Sequence, residues 1–233
     1  MEIRRLRANL SDYRDGVFEI SNDEFIYAVK VLRQKIGFSV IVNVGDGYDY
    51  NGVIIDIKKD RLFVKISERV KNSATPEKAI TLYQGSCKTG KNDFIAQKAV
   101  ELGVSRIVFF TSDNVVEKDV NLERLNKIAK EALKQCDRAD DVTVEFSTFE
   151  NAVKNAKEAV IFYEGDCEIS ASDIPVATTE FFVGSEGGFS EREITLAKNK
   201  GIKTVSLGKR ILRAETASVV ATTLVQLKTG GLL

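Results

Sequence analysis

The octapeptide VGSEGGFS at residues 183–190 is the most informative stretch of this chain. It follows the apolar segment Glu180–Val183 and precedes a helix predicted from Ser190, where Ser190 and Glu193 have the spacing of a capping box. Three glycines surround Glu186, and glycine lets the backbone approach a ligand closely because it has no Cβ and tolerates positive φ. A strand, a glycine-rich turn and a helix N-terminus together favour a ligand loop. A tight turn whose glycines serve packing fits the same residues.

A second segment, TVSLGKRILRAET at residues 204–216, repeats this arrangement. A strand leads to a turn at Gly208, and Glu215 precedes a long apolar helix over 217–227. The cations of the segment are Lys209, Arg210 and Arg213. Because open α/β sheets hold ligands at the carboxyl ends of their strands, the two glycine turns predict one shared site.

The composition is that of an ordinary globular protein, with 34 basic and 34 acidic residues and 43% hydrophobic residues in a chain of 233. The neutral total argues against binding of nucleic acid by bulk charge but leaves local basic patches open. No apolar run approaches the roughly 20 residues of a membrane span, and the N-terminus lacks a signal-peptide pattern. We therefore expect a cytoplasmic protein with no membrane contact.

The chain contains no histidine, which excludes Ser-His-Asp and Cys-His nucleophile arrangements. Cys87, Cys136 and Cys167 are odd in number and widely spaced, so we expect reduced thiols and no metal site. Catalysis must then rely on carboxylates, lysines, arginines, hydroxyl groups and the backbone.

The pattern along the chain predicts two domains of an α/β protein. Residues 1–70 contain short alternating strands at 39–44, 48–57 and 61–66, which suggest a small β-barrel, interrupted by a helix that Ser21 and Glu24 would cap as a capping box. The polar segment 71–77 is the expected linker. Residues 75–233 alternate strands and helices, which implies a mostly parallel sheet. The predicted strands are 79–84, 106–110, 142–146, 159–163, 180–183 and 204–207, and the predicted helices are 93–102, 121–136, 150–157, 190–200 and 216–227.

Residues 85–92, GSCKTGKN, are close to the phosphate-binding pattern GxxxxGK, but Asn92 replaces the Ser or Thr that holds magnesium. One interpretation is a nucleotide hydrolase, which the missing metal ligand disfavours. A second is a basic loop capped by Asn92. A third uses Lys88 and Lys91 as phosphate anchors for RNA.

Three ordered motifs resemble the bacterial 16S ribosomal RNA uridine-N3 methyltransferases (the RsmE type) of the SPOUT superfamily. They are VGSEGGFSEREITLAKNKG at 183–201, VSLGKRILRAETA at 205–217, and KTGKND with FIAQKAVELGVSRIV at 88–108. The resemblance covers nearly the whole chain, and Val31-Leu32-Arg33 also resembles a helix end of that family.

The resemblance implies a PUA/OB-like RNA-binding β-barrel over residues 1–70 and a SPOUT α/β domain with a trefoil knot over 75–233. It also implies S-adenosyl-L-methionine as cofactor, a homodimer, and methylation of uridine N3 in the decoding region of the small ribosomal subunit. The implied cofactor-binding residues are Gly184, Glu186, Gly187, Gly188, Leu207, Gly208, Ile211, Leu212, Arg213 and Thr216.

Roles in catalysis follow from the chemistry of methylating uridine N3. The nitrogen must lose its proton, and the developing negative charge spreads to the flanking carbonyl oxygens. We expect Arg213 to stabilise that charge and Glu186, or else Glu215, to take the proton. Each of these side chains could instead be structural. The basic residues expected to contact RNA phosphates are Arg4, Arg5, Arg7, Arg33, Lys88 and Lys91.

Three other functions fit parts of the sequence: methylation of a different RNA or atom, RNA binding without catalysis, and the nucleotide hydrolysis suggested by residues 85–91. Fold does not fix substrate, so the first of these stays open at this point.

Overall fold

The computed structural model describes residues 3–115 and 119–231. The chain divides into two compact units, Met1–Thr75 with Leu133–Asp141, and Pro76–Ala132 with Val142–Leu233. The short segment Leu133–Asp141 therefore belongs to the first unit although it lies within the residues expected for the second domain.

The first unit is built on a six-stranded sheet with strand order β1-β4-β5-β6-β3-β2. Strands β1 and β4 are parallel, and the other pairings are antiparallel. The β-rich fold predicted for this region is confirmed. Its elements are β1 (Arg4–Arg7), β2 (Tyr13–Arg14), β3 (Val17–Ser21), α1 (Asn22–Ile26), β4 (Ser39–Asn43), β5 (Tyr48–Ile57) and β6 (Arg61–Lys71).

Alternating side chains of these strands form the core of the first unit, as in β6, where Leu62 and Val64 are fully buried. Phe25 of α1 and Ala28, which follows this helix, also join this core. The predicted capping box at Ser21 is wrong. Asn22 has a φ of 55°, so the helix start lacks the backbone geometry of that motif, and Ser21 makes no side-chain cap bond. The carboxylate of Glu24 instead accepts hydrogen bonds elsewhere within the unit, from Arg7 N at 2.9 Å and Lys134 Nζ at 2.6 Å.

The second unit contains a seven-stranded sheet with strand order β11-β13-β10-β12-β7-β8-β9. All its pairings are parallel, which confirms the predicted parallel sheet. The elements are β7 (Thr81–Gly85), α2 (Thr89–Glu101), β8 (Arg106–Thr111), α3 (Leu122–Gln135), β9 (Thr143–Thr148), α4 (Phe149–Asn155), β10 (Ala159–Phe162), β11 (Ile169–Ser170), β12 (Glu180–Val183), α5 (Glu191–Asn199), β13 (Lys203–Ser206) and α6 (Ala214–Thr229).

The strand order has a reversal beside β7. From β7 the chain adds β8 and β9 on one side, whereas β12, and not the earlier β10, pairs with β7 on the other side. An open parallel sheet has a crevice at such a reversal, outside the carboxyl ends of the strands. Aromatic packing supports the sheet here, since Tyr83 of β7 and Phe182 of β12 stack with ring centroids 4.4 Å apart.

The helix predicted from residue 93 begins four residues earlier, at Thr89. The side chain of Asn92 explains the difference, because its Oδ1 accepts from Cys87 N at 2.9 Å and its Nδ2 donates to Cys87 O at 2.7 Å. Lys88 O accepts hydrogen bonds from the backbone of Lys91 and Asn92, which closes the first turn. Throughout 3–115 and 119–231, no helix is long and apolar enough to cross a bilayer.

Candidate active site

A cavity of about 440 Å³ opens in the second unit at the carboxyl ends of β10, β12 and β13. Both glycine turns singled out in the sequence contribute to its wall. The lining residues are Lys91, Phe162, Tyr163, Glu164, Val183, Gly184, Ser185, Glu186, Gly188, Leu207, Gly208, Lys209, Arg210, Ile211, Leu212, Arg213, Ala214 and Ala217. Of the ten residues expected to bind cofactor, Gly187 and Thr216 are not among them.

The loop after β12 needs its glycines for close approach. Gly188 has a φ of +63°, and a Cβ there would lie 2.3 Å from Glu164 Oε1. Gly187 serves a contact outside the cavity, because a Cβ at this residue would lie 2.5 Å from Asn114 O, and its own carbonyl accepts from Asn114 Nδ2 at 3.1 Å. This packing against Asn114 is why Gly187 does not line the cavity.

The loop after β13 turns at Gly208, whose φ of +99° is a left-handed conformation that favours glycine. Its N–H donates to Ser206 Oγ at 3.1 Å. Ile211 is 89% exposed at the cavity, an unusual position for a large apolar side chain. Thr216 is exposed in the first turn of α6 and does not line the cavity.

A buried amide connects the two walls of the site. Gln84 at the end of β7 is fully buried, and its Nε2 donates to Gly184 O at 3.1 Å and to Gly85 O at 3.0 Å. Its Oε1 accepts a hydrogen bond from Ser218 of α6. Because leaving a buried amide unpaired costs free energy, these hydrogen bonds fix the position of the loop after β12 relative to α6.

An ion cluster joins three different elements at the cavity. Lys91 Nζ lies 3.3 Å from Glu186 Oε1 and 3.3 Å from Glu215 Oε2. Burial opposes ionisation of Glu186, but hydrogen bonds from backbone N–H groups, including that of Lys88, and from Lys91 outweigh it and lower its pKa. Desolvation opposes protonation of Lys91, but its two carboxylate partners raise its pKa overall. In this structure Lys91 is therefore engaged by carboxylates of the cavity.

Three further cations surround the cavity: Lys209, Arg210 and Arg213. All three are exposed, and none has an ion pair or hydrogen bond from its side chain to another described residue. Arg213 occupies the N-cap position of α6 with its backbone, since its carbonyl accepts from Ala217 N at 2.8 Å, and its side chain makes no cap bond. The Arg213 guanidinium is therefore available to a ligand.

The residues expected to contact RNA fall into two groups. Arg5 pairs with Asp49 at 2.5 Å and Asp137 at 2.8 Å, and Arg7 pairs with Asp141, so both of these side chains already have carboxylate partners in the first unit. Lys91 of the cavity also has carboxylate partners, as described above. Arg4, Arg33 and Lys88 are exposed.

Two wall residues, Tyr163 and Glu164, were not expected from the sequence. They follow β10 immediately, so they stand at the carboxyl end of a parallel strand, and that placement was the signal available to find them. Burial and the nearby charge of Glu164 raise the pKa of Tyr163.

The helix that follows the first glycine loop begins as predicted. Ser190 Oγ accepts from Glu193 N at 3.2 Å, and Glu193 Oε2 accepts from Ser190 N at 2.9 Å, which confirms the capping box. Glu193 is fully buried, and its Oε1 accepts from Asp113 N at 2.9 Å. Asp113 in turn accepts from Ser190 Oγ at 2.6 Å and from Arg192 at 2.8 Å. The start of α5 is thus tied to the loop after β8.

Asp113→Asn is expected to remove a pH-dependent part of the stability. Hydrogen bonds from Arg192 and Ser190 lower the pKa of Asp113 to about 2 from 3.8. A carboxyl group with a lowered pKa stabilises the fold above its unfolded pKa, and this contribution is lost as the pH falls through about 2. Denaturant midpoints at neutral pH should therefore be lower for the variant, and the difference should vanish in strong acid. Because Asp113 is exposed, the effect is small.

The matched control for that prediction is Asp166→Asn, which removes an exposed carboxylate with no ion pair among the described residues. It should leave the midpoints nearly unchanged. If Asp113→Asn lowers the denaturant midpoint equally at neutral and at strongly acid pH, the lost stability does not come from the ionised carboxylate of Asp113.

Comparison with known proteins places these features in a family. A profile described as an RNA methyltransferase domain matches residues 74–226, and one described as an RNA methyltransferase PUA domain matches residues 20–67. A protein of Aquifex aeolicus named ribosomal RNA small subunit methyltransferase E is 33% identical, covering 91% of this chain and 92% of its own length. One of the same name from Buchnera aphidicola is 31% identical over 89% of this chain and 86% of its own.

Two solved structures share the fold. A methyltransferase of Legionella pneumophila in complex with the cofactor SAM has a TM-score of 0.86 at 26% identity, covering 97% of this chain and 98% of the other. A ribosomal RNA small subunit methyltransferase E of Neisseria gonorrhoeae bound to S-adenosyl methionine has a TM-score of 0.83 at 26% identity, with the same coverage.

Proposed function

Because this chain belongs to the ribosomal RNA small subunit methyltransferase E family, we propose that it transfers a methyl group from S-adenosylmethionine to N3 of a uridine in 16S ribosomal RNA. The observation that carries the proposal is the cavity between the two glycine loops, which lies within the matched RNA methyltransferase domain. The cofactor bound to the two solved relatives supports the choice of methyl donor.

The residues of the cavity fit S-adenosylmethionine. A volume of about 440 Å³ lies in the range of small-molecule sites, roughly 300–1,000 Å³. Apolar side chains, among them Phe162, Val183 and Leu212, provide one surface for a purine, while the backbone of Gly184 and Gly208 and the carboxylate of Glu164 offer polar groups for the rest of the molecule. We propose that the cofactor-binding residues are those expected from the sequence that line the cavity, with Arg213 contributing its backbone and keeping its side chain for the acceptor. Gly187 does not line the cavity but holds the same loop in place by accepting a hydrogen bond from Asn114.

When bound, S-adenosylmethionine supplies a methyl group carried on a sulfonium. An in-line displacement demands positioning above all, and the glycine loops provide it by holding the ligand with backbone groups. A carboxylate pressed against the sulfur would favour the charged ground state, because the sulfonium charge is lost in the transition state. Binding through backbone groups avoids this stabilisation of the ground state.

Arg213 is the residue proposed to stabilise the methyl acceptor, the uridine. Its side chain lines the cavity and has no partner among the described residues, so it can face the carbonyl oxygens that gain negative charge as uridine N3 is methylated. Glu186 lines the same cavity, and this position makes its carboxylate the first candidate for accepting the N3 proton. The hydrogen bonds that lower its pKa keep it ionised and also reduce its strength as a base. Glu215 is the second candidate, since Lys91 joins it to Glu186.

We assign the RNA-binding PUA-like domain to residues 1–70 and the SPOUT transferase domain to 75–233. The profile matches at 20–67 and 74–226 support this division. Insertion of β12 between β7 and β10, together with the two loops that meet at one cavity, supports a trefoil knot in the C-terminal part. We also propose a cytoplasmic homodimer, for which light scattering of the purified protein is the direct test.

Nucleotide mapping tests the proposed function. The protein is incubated with methyl-labelled S-adenosylmethionine and small ribosomal subunits that lack the modification, and then with free 16S ribosomal RNA. We expect label on one uridine, where N3 methylation blocks base pairing and so stops reverse transcription. Label on another atom, or label that appears only when total cellular RNA is the acceptor, would support the second candidate, a related methyltransferase of different specificity. Cofactor binding without transfer of the methyl group to any RNA would contradict the proposed methyltransferase activity.

A further inference from the structure

Lys91 has a position that the reaction described so far does not use. Its ammonium group bridges Glu186 in the loop after β12 and Glu215 in the first turn of α6, at 3.3 Å from each. The three side chains are 31%, 25% and 20% exposed, so water screens their charges only in part. Oε2 of Glu215 is shielded from solvent, which leaves Lys91 as the group that compensates its charge.

The charges of this cluster matter because of what the cavity must bind. The proposed donor carries a positive sulfonium, and the product after methyl transfer carries a neutral thioether in its place. Glu186 and Lys91 both line the cavity, so the net charge of the cluster acts differently on donor and product. Two carboxylates without a cation would hold the sulfonium form too strongly, and that preference opposes the reaction.

We propose that Lys91 is a positioning residue that sets the charge of the methyl-donor site, holding Glu186 and Glu215 in an ion cluster so that donor and product bind with balanced affinity. This inference rests on the proposed function. It gives the lysine of the GSCKTGKN loop a role in the transferase site and not at a nucleotide phosphate. It also gives a reason for a lysine at the start of α2 to reach both the loop after β12 and the first turn of α6.

The test compares the dissociation constants of S-adenosylmethionine and S-adenosylhomocysteine by calorimetry. Lys91→Met removes the cation, so we expect the ratio of the two constants to shift roughly tenfold in favour of S-adenosylmethionine, as charges acting across a partly buried site allow. Lys91→Arg keeps the charge and should leave the ratio near the wild-type value. A purely structural role for Lys91 predicts equal weakening of both ligands, because they share their shape apart from one methyl group.

Two further variants keep the test decisive if Lys91→Met folds poorly. Glu215→Gln makes the opposite change in charge and should shift the ratio towards S-adenosylhomocysteine. Lys91→Met combined with Glu215→Gln should return the ratio towards that of the wild type, since the two changes offset each other. The control is Lys154→Met, which removes an equal charge from an exposed side chain of α4 outside the cavity and should change the ratio less than about twofold.

Opposite shifts in the Lys91→Met and Glu215→Gln variants support the proposal. Equal weakening of both ligands, or an unchanged ratio in both variants, overturns it while leaving the proposed function intact. A wild-type protein that binds neither ligand removes the proposed function and this inference together.

Discussion

Gly85→Ala should destabilise the protein by about 1–3 kcal/mol and weaken binding of S-adenosylmethionine at least roughly tenfold. Gly85 ends β7 in a buried position, and a Cβ there would lie 2.4 Å from Ser185 N and 2.9 Å from Gly184 C. Both atoms are backbone, so the added methyl group cannot be accommodated by a side-chain rotation. The loop after β12 must move, and that loop is one wall of the cavity. Urea unfolding measures the first effect and calorimetry the second.

Gly90→Ala is the matched control. Nothing lies within 4 Å of a Cβ at Gly90, and this residue stands in the first turn of α2, where alanine favours the helix. We expect unchanged cofactor affinity and a stability equal to the wild type or higher by up to about 1 kcal/mol. A Gly85→Ala variant with wild-type affinity would contradict the close approach of β7 to the loop.

Arg213→Ala should lower kcat by about 10²- to 10³-fold, the effect typical of removing one donor that stabilises a developing oxyanion. The affinity for S-adenosylmethionine should change little, because the proposed partner of the guanidinium is the uracil ring. The start of α6 should also persist, since the Arg213 side chain makes no cap bond. Single-turnover kinetics with saturating RNA and direct calorimetry of the cofactor measure the two quantities separately.

Arg210→Ala serves as the comparison for Arg213. It removes the same charge from the same loop, three residues earlier, and Arg210 is likewise exposed. A cation that contacts RNA phosphates alone should raise KM for RNA in a salt-dependent way and leave kcat nearly unchanged. Full turnover in Arg213→Ala with normal cofactor binding would contradict the role of Arg213 in catalysis.

The local features of the fold could be predicted from the sequence because they depend on neighbouring residues. The capping box of Ser190 and Glu193 and the strand Glu180–Val183 are examples, and both occur where expected. The capping box predicted at Ser21 and Glu24 was wrong, because the positive φ of Asn22 excludes a motif that the residue types alone allow. The start of α2 was predicted too late, because helix propensity does not account for the hydrogen bonds between the Asn92 side chain and Cys87.

Long-range features of the site could not be predicted from spacing. Nothing local indicates that β12 pairs with β7 ahead of β10, or that Gly187 packs against Asn114, 73 residues earlier. The reach of Lys91 to two carboxylates likewise depends on three elements that only the fold brings together. Sequence patterns identified the two glycine turns, and tertiary structure decided which of their residues line the cavity.

Amide hydrogen exchange with and without S-adenosylmethionine tests most directly whether residues 184–188 and 207–213 form a single cradle. We expect the cofactor to slow exchange in both loops together, because both line one cavity. The peptides of β5 and β6 in the first unit should exchange at unchanged rates. Protection confined to one of the two loops, or absent from both at saturating cofactor, would contradict the account.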